Sequence, residues 1–148
     1  MNAYLFPSLK MTPGIVERVF QSVKDIDQPT HPDRFSAREV IAHLAEWEPI
    51  MRGRIVQCVE NPGSTIVAYD EGEMAILAKY NTLDPLEQLG KFKAERLKTI
   101  AFLESMPQDG WSKSCLHPER GQLTAYDLAH FLPCHDVYHI DQLMTAGQ

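Results

Sequence analysis

Four helix-start signals, each followed by apolar residues at helical spacing, confine this chain to a helical bundle. The clearest is Ser36-Ala37-Arg38-Glu39, a capping box in which the serine hydroxyl and the glutamate carboxylate each satisfy an orphan backbone amide. From it the spacing predicts a long second helix with a buried stripe of Val40, Ile41, Leu44, Trp47, Met51, Ile55 and Val59. Pro49 removes one backbone donor on the way, and Asn61-Pro62-Gly63 ends the run. The first helix is expected from Thr12 as N-cap with Pro13 at its first position, carrying Ile15, Val16, Val19, Phe20 and Val23 as far as Asp27-Gln28-Pro29. Residues 30–34 read as a loop. Asp84-Pro85-Leu86-Glu87 opens a third helix with Leu86, Leu89, Phe92, Leu97, Ile100 and Leu103 as its stripe, ending near Met106-Pro107. After a loop with Trp111 and Gly121, Thr124-Ala125-Tyr126-Asp127 caps a fourth helix through Leu128, Phe131, Leu132, Tyr138 and Leu143. Residues 64–83 carry no single period: Thr65-Ile66-Val67 is β-like and Glu73 to Tyr80 is a candidate helix. The expected fold is all-α, a four-helix bundle with a long connection between its second and third helices and no sheet.

A length of 148 residues with 44% hydrophobic content suits one core, so residues 1–148 are expected to form one domain. Twenty acidic against fourteen basic residues give a formal charge of −6. Nucleic acid is therefore excluded as a partner, because binding a polyanion requires a basic footprint. Cys58, Cys115 and Cys134 are odd in number, widely spaced and outside any C-x-x-C pair, which argues against a disulfide framework and for a reducing compartment. No apolar run approaches the roughly 18 residues of a membrane span, and Met1 to Lys10 lacks the pattern of a signal segment, so a cytoplasmic protein is expected.

The histidines carry the chemical signal. His135 and His139 are four residues apart in a predicted helix, about 40° around the axis and one turn apart, so both imidazoles reach one ion. The spacing in His135-Asp136-Val137-Tyr138-His139 is that of helical zinc sites, with Asp136 where zincin proteases carry a glutamate. A zincin takes its third ligand from well downstream, whereas nine residues follow His139, so the third ligand must come from upstream. His43 is the candidate, since it falls among Val40, Leu44 and Trp47 on the inward side of the second helix. His130 lies about 140° from His135 and points elsewhere, and His31 and His117 precede prolines in loops. Against this stands an ordinary reading, in which His43 is a hydrogen-bonded core residue and the pair is a solvated face. One inward histidine and one histidine pair on two helices of a bundle match the places where such folds build metal sites, while di-iron sites fail for want of Glu-x-x-His motifs.

With these residues in view, the chain resembles the DinB-like superfamily of candidate metal-dependent enzymes. Ser36 to Glu48, Ser-Ala-Arg-Glu-Val-Ile-Ala-His-Leu-Ala-Glu-Trp-Glu, is similar to the family's second helix with its histidine, and His135 to Gln142 is similar to its C-terminal histidine pair followed by Gln. A weaker likeness is the Tyr80-Asn81 turn into an amphipathic helix containing Arg96. The resemblance spans about residues 11 to 146. It implies a four-helix bundle, often a homodimer, with a divalent ion on His43, His135 and His139. It also points toward thiol-dependent S-transferases and isomerases that use low-molecular-weight thiols.

Three neutral imidazoles leave a divalent ion its full charge and, in tetrahedral geometry, one open position, which suits hydrolysis or thiol transfer on a small-molecule substrate. Glu46 and Asp136 are candidate proton acceptors there, or else partners that orient the imidazoles, and Gln142 is a candidate hydrogen-bond donor. Zinc and nickel both suit imidazole, as does iron. Two readings stay open, a metal-dependent thiol transferase or hydrolase and a non-catalytic metal-binding or stress-induced protein acting through its dimer surface. A cavity leading to the open metal position separates them.

Overall fold

In the computed structural model, which describes residues 2–29, 31 and 33–146, the first helix begins earlier than its cap signal. Helix α1 (Leu5–Ser22) runs straight past Thr12 and Pro13, because Leu9 and Leu5 continue the stripe of Val16 and Phe20 two and three turns upstream of Val16 and are fully buried. Pro13 has no N–H to give the carbonyl of Leu9, and the Arg96 guanidinium donates to that carbonyl instead, at 3.3 Å. A proline that reads as a helix start in isolation is thus held in a helix interior by a tertiary contact. Thr30 and Pro32 of the expected loop lie outside the described residues.

Helix α2 (Ala37–Glu60) starts on the expected capping box, with the Ser36 side chain accepting from the Glu39 amide and the Glu39 carboxylate from the Ser36 amide. It continues through Pro49, burying the expected stripe apart from Val59, which is half-buried. The chain leaves through Asn61 and Gly63, whose φ of 84° favours glycine. In the long connection Asp70 caps a short helix α3 (Glu71–Leu77), two residues ahead of the expected start, followed by a 3₁₀ turn at Tyr80–Thr82. Helix α4 (Pro85–Ser105) has the expected Asp84 cap and first-position proline. Its buried face is centred on Leu89, Phe92, Arg96, Ile100 and Leu103, while Leu86 and Leu97 are exposed. Those two leucines lie about 60–80° to one side of Leu89, off the buried stripe.

A second departure is a small antiparallel hairpin, β1 (Ser114–His117) with β2 (Gly121–Thr124), where a loop was expected. Its strands are too short to show a period, and its stability comes from neighbours. Thr65 bridges to Leu116, Ile66 donates to the Leu116 carbonyl, and the Ala125 amide donates back to Lys113. β2 runs directly into the Thr124–Asp127 capping box of helix α5 (Ala125–Thr145), which passes Pro133 without a break. Tyr138, expected in the core, is exposed. Helix α1 packs on α5 and α4, and α2 on α4 and α5, which closes the four long helices into a mostly helical bundle with the hairpin and α3 at one side. No helix among the described residues is long and apolar enough to cross a membrane.

Candidate metal centre

The capping box of α2 sets the phase of that helix, and the phase turns His43 inward, where it is 1% exposed between Phe35 and Trp47. Facing it across the bundle, α5 presents His135 and His139 from successive turns. The three rings meet through their Nε2 atoms: His135 Nε2 lies 3.1 Å from His43 Nε2 and 3.1 Å from His139 Nε2. All three residues offer nitrogens within 4.8 Å of one another. The structure thus brings together the three expected histidines. His130 pairs with the carbonyl of Tyr126 outside the cluster, and Cys134 is exposed.

The tautomer of His139 follows from a chain of hydrogen bonds. Gln142 donates its amide to the carbonyl of Phe35, at 3.2 Å, which leaves its carbonyl oxygen toward His139 Nδ1 at 2.9 Å. Nδ1 therefore carries the proton, and Nε2 points a lone pair at the other rings. Gln142 serves the histidine as an acceptor, where a donor was expected. Burial drives His43 down to about 3 and His135 to about 2, and burial also lowers His139 against the pull of Gln142 and Asp136. The rings are neutral at ordinary pH. Neutral rings cannot satisfy one another here, since one N–H on His135 Nε2 serves a single acceptor. His43 Nδ1 is buried without a partner among the described residues as well. A cation at the meeting point would satisfy all three converging lone pairs, so the donor set fits a divalent metal.

The carboxylates fall in different places from their sequence reading. Asp136 is turned away into a buried network: Arg96 holds its two oxygens at 2.7 and 3.0 Å, and Thr12 donates to it. Arg96 also grips Glu48 with two bonds of 2.8 Å. Glu46 accepts from the Tyr80 hydroxyl. The acid that faces the histidines is Glu71, at the start of α3, with Oε2 4.0 Å from His43 Nε2. Its carboxyl is raised above the ordinary range by burial, partly opposed by Arg54.

Glu71 and His135 stand together on the wall of a cavity of about 240 Å³, with Trp47, Arg54, Tyr69 and Phe131, and with His117 and Arg120 from the hairpin. Sequence reasoning missed Glu71, which lies in the stretch without a period. Arg54 had a signal: it follows His43 by eleven residues and Trp47 by seven, so all three share one face of α2, and a charge in a buried stripe marks either an ion pair or a site.

The same bundle occurs in YfiT from Bacillus subtilis, described as a probable metal-dependent hydrolase with an unusual four-helix bundle topology. The match has a TM-score of 0.86 at 20% identity, over 94% of this chain and 81% of that one. A mycothiol-dependent maleylpyruvate isomerase matches with a TM-score of 0.76 at 13% identity. Residues from 94% of this chain align there, and the match spans 59% of the isomerase. In sequence, a Bacillus licheniformis protein named as a candidate metal-dependent hydrolase is 25% identical over 137 residues, 89% of this chain and 77% of that protein. The family model of the DinB superfamily matches residues 9–143, a span that takes in α2 and α4 whole, most of α1 and α5, and the three histidines. The chain belongs to the DinB superfamily.

Proposed function

We propose that His43, His135 and His139 hold one divalent metal ion, zinc or nickel before iron, and that the chain is a metal-dependent enzyme. Its reaction is hydrolysis or thiol transfer on a small molecule, in the latter case with a low-molecular-weight thiol. The observation that carries this reading is the cavity, which reaches His135 and leaves an approach to the histidine cluster. The names of the relatives support it, two of them metal-dependent hydrolases by description and one a thiol-dependent isomerase.

An ion held by three neutral imidazoles would keep its charge of two, and when bound it would polarise a carbonyl or acidify a coordinated water or thiol. The chain's own residues do the rest. Gln142 fixes the His139 ring with its lone pair inward. Glu71, half-exposed and near the cluster, takes the proton of the nucleophile, a role that the pairing of Asp136 with Arg96 and of Glu46 with Tyr80 leaves to it. Trp47 and Phe131 provide apolar wall. One observation favours a second reading: Glu71 is close enough that a modest shift of α3 would make it a fourth ligand, closing the position and leaving a binding protein.

The test is elemental analysis of the tag-free protein beside its His43→Ala variant, followed by thiol-transfer and hydrolysis assays. About one ion per chain, lost in the variant, is expected. No metal in either protein after incubation with zinc, nickel and iron would overturn the site. Glu71→Gln separates the two readings, since a base lowers turnover with metal retained, whereas a ligand lowers metal affinity.

A further inference from the structure

Arg54 is a guanidinium without an equal partner. It is 8% exposed and lies against the rings of Trp47 and Tyr69, 5.0 and 5.7 Å from their centroids. Its five N–H donors meet one carbonyl, that of Val67 at 2.8 Å, and the sulfur of Met51 at 3.5 Å, while Nε is buried with no acceptor. Among the described residues no carboxylate comes within ion-pair distance of it, whereas Arg96, which is more deeply buried, is saturated by two. A buried cation normally demands a counter-charge. Arg54 lines the same cavity as His135, and the exposed Arg120 of the hairpin lines it too.

We propose that Arg54, with Arg120, forms an anion subsite that takes a carboxylate of the substrate and presents the rest of the molecule to the histidines. A monoanion fits better than a phosphate dianion, because Glu71 and Glu119 stand on the same wall and repel extra negative charge. The half-apolar lining, with Trp47, Leu128 and Phe131, suits a small organic acid. The position of the reacting atom rests on the metal-enzyme reading above, but the binding of the carboxylate does not.

The test therefore uses chelator-treated protein, in which a carboxylate has no metal to bind. Butyrate, its neutral amide and inorganic phosphate are titrated against the full chain by calorimetry, with Arg54→Met and Arg120→Gln alongside. Saturable butyrate binding, weakened at least about tenfold by Arg54→Met and less by Arg120→Gln, with no saturable binding of the amide, is the expected result. If Arg54→Met does not fold, weakening by Arg120→Gln carries the test. Butyrate binding unchanged in both variants, absent altogether, or weaker than that of phosphate would overturn the proposal. Loss of metal stoichiometry in the separate elemental analysis would leave this result standing, so the two readings fail independently.

Discussion

Gln142 shows how much of a candidate metal site lies outside its proposed ligands. It touches no other histidine than His139, yet its amide, oriented by the Phe35 carbonyl, decides which nitrogen of His139 carries the proton. Gln142→Leu keeps the shape and removes the acceptor, and should weaken metal binding about 10- to 100-fold with the fold intact, as measured by competition with a chromogenic chelator. The histidines themselves predict a pH dependence. In the folded state burial holds His43 near 3 and His135 near 2, below the ~6.5 of an unfolded imidazole. The unfolded chain therefore binds more protons as pH falls, so stability is full above about pH 6.5 and declines below it, by up to about 1.4 kcal/mol per pH unit for each ring. The urea midpoint of the metal-free protein should fall between about pH 7 and 5, and His43→Phe should make that fall shallower. An equally steep fall in the variant would show that other groups carry it.

At the scale of elements, the bundle is joined by a polar knot as well as by its apolar stripes. Arg96 of α4 ties Glu48 of α2, Asp136 of α5 and, through Thr12 and the Leu9 carbonyl, α1. Arg96→Met removes the cation and leaves two buried carboxylates, which should cost about 3–5 kcal/mol in chemical denaturation. Ser36→Ala, at the cap that phases His43, should cost only about 1 kcal/mol. The four cap signals differed in reliability for a physical reason. Ser36, Asp84 and Thr124 act through bonds to amides two or three residues away, so they worked as read. Thr12 did not, because its hydroxyl is taken by Arg96 and Asp136, partners more than eighty residues away.

For the whole molecule, an ion that binds only the folded chain stabilises it by mass action. At a hundredfold excess over Kd the gain is about 2.7 kcal/mol, or roughly 5–11 °C in Tm for a chain of this size. Differential scanning fluorimetry with and without metal should show that shift, and His139→Ala should abolish it. A homodimer is the expected assembly, with a light-scattering mass about twice the 16.8 kDa of one chain, and a monomeric mass at micromolar concentration would refute it.

The helical bundle and the three inward histidines were legible in the sequence, because helical period and short-range caps are properties of neighbours along the chain. The convergence of the three Nε2 atoms was legible only as a possibility of facing: periodicity turns His43, His135 and His139 inward but does not say that α2 and α5 are neighbours. The hairpin, the place of Glu71 beside His43, the diversion of Asp136 to Arg96 and the cavity around Arg54 were decided by tertiary structure. Each depends on groups brought together from distant parts of the chain, whose burial and charge exist only once the bundle has closed.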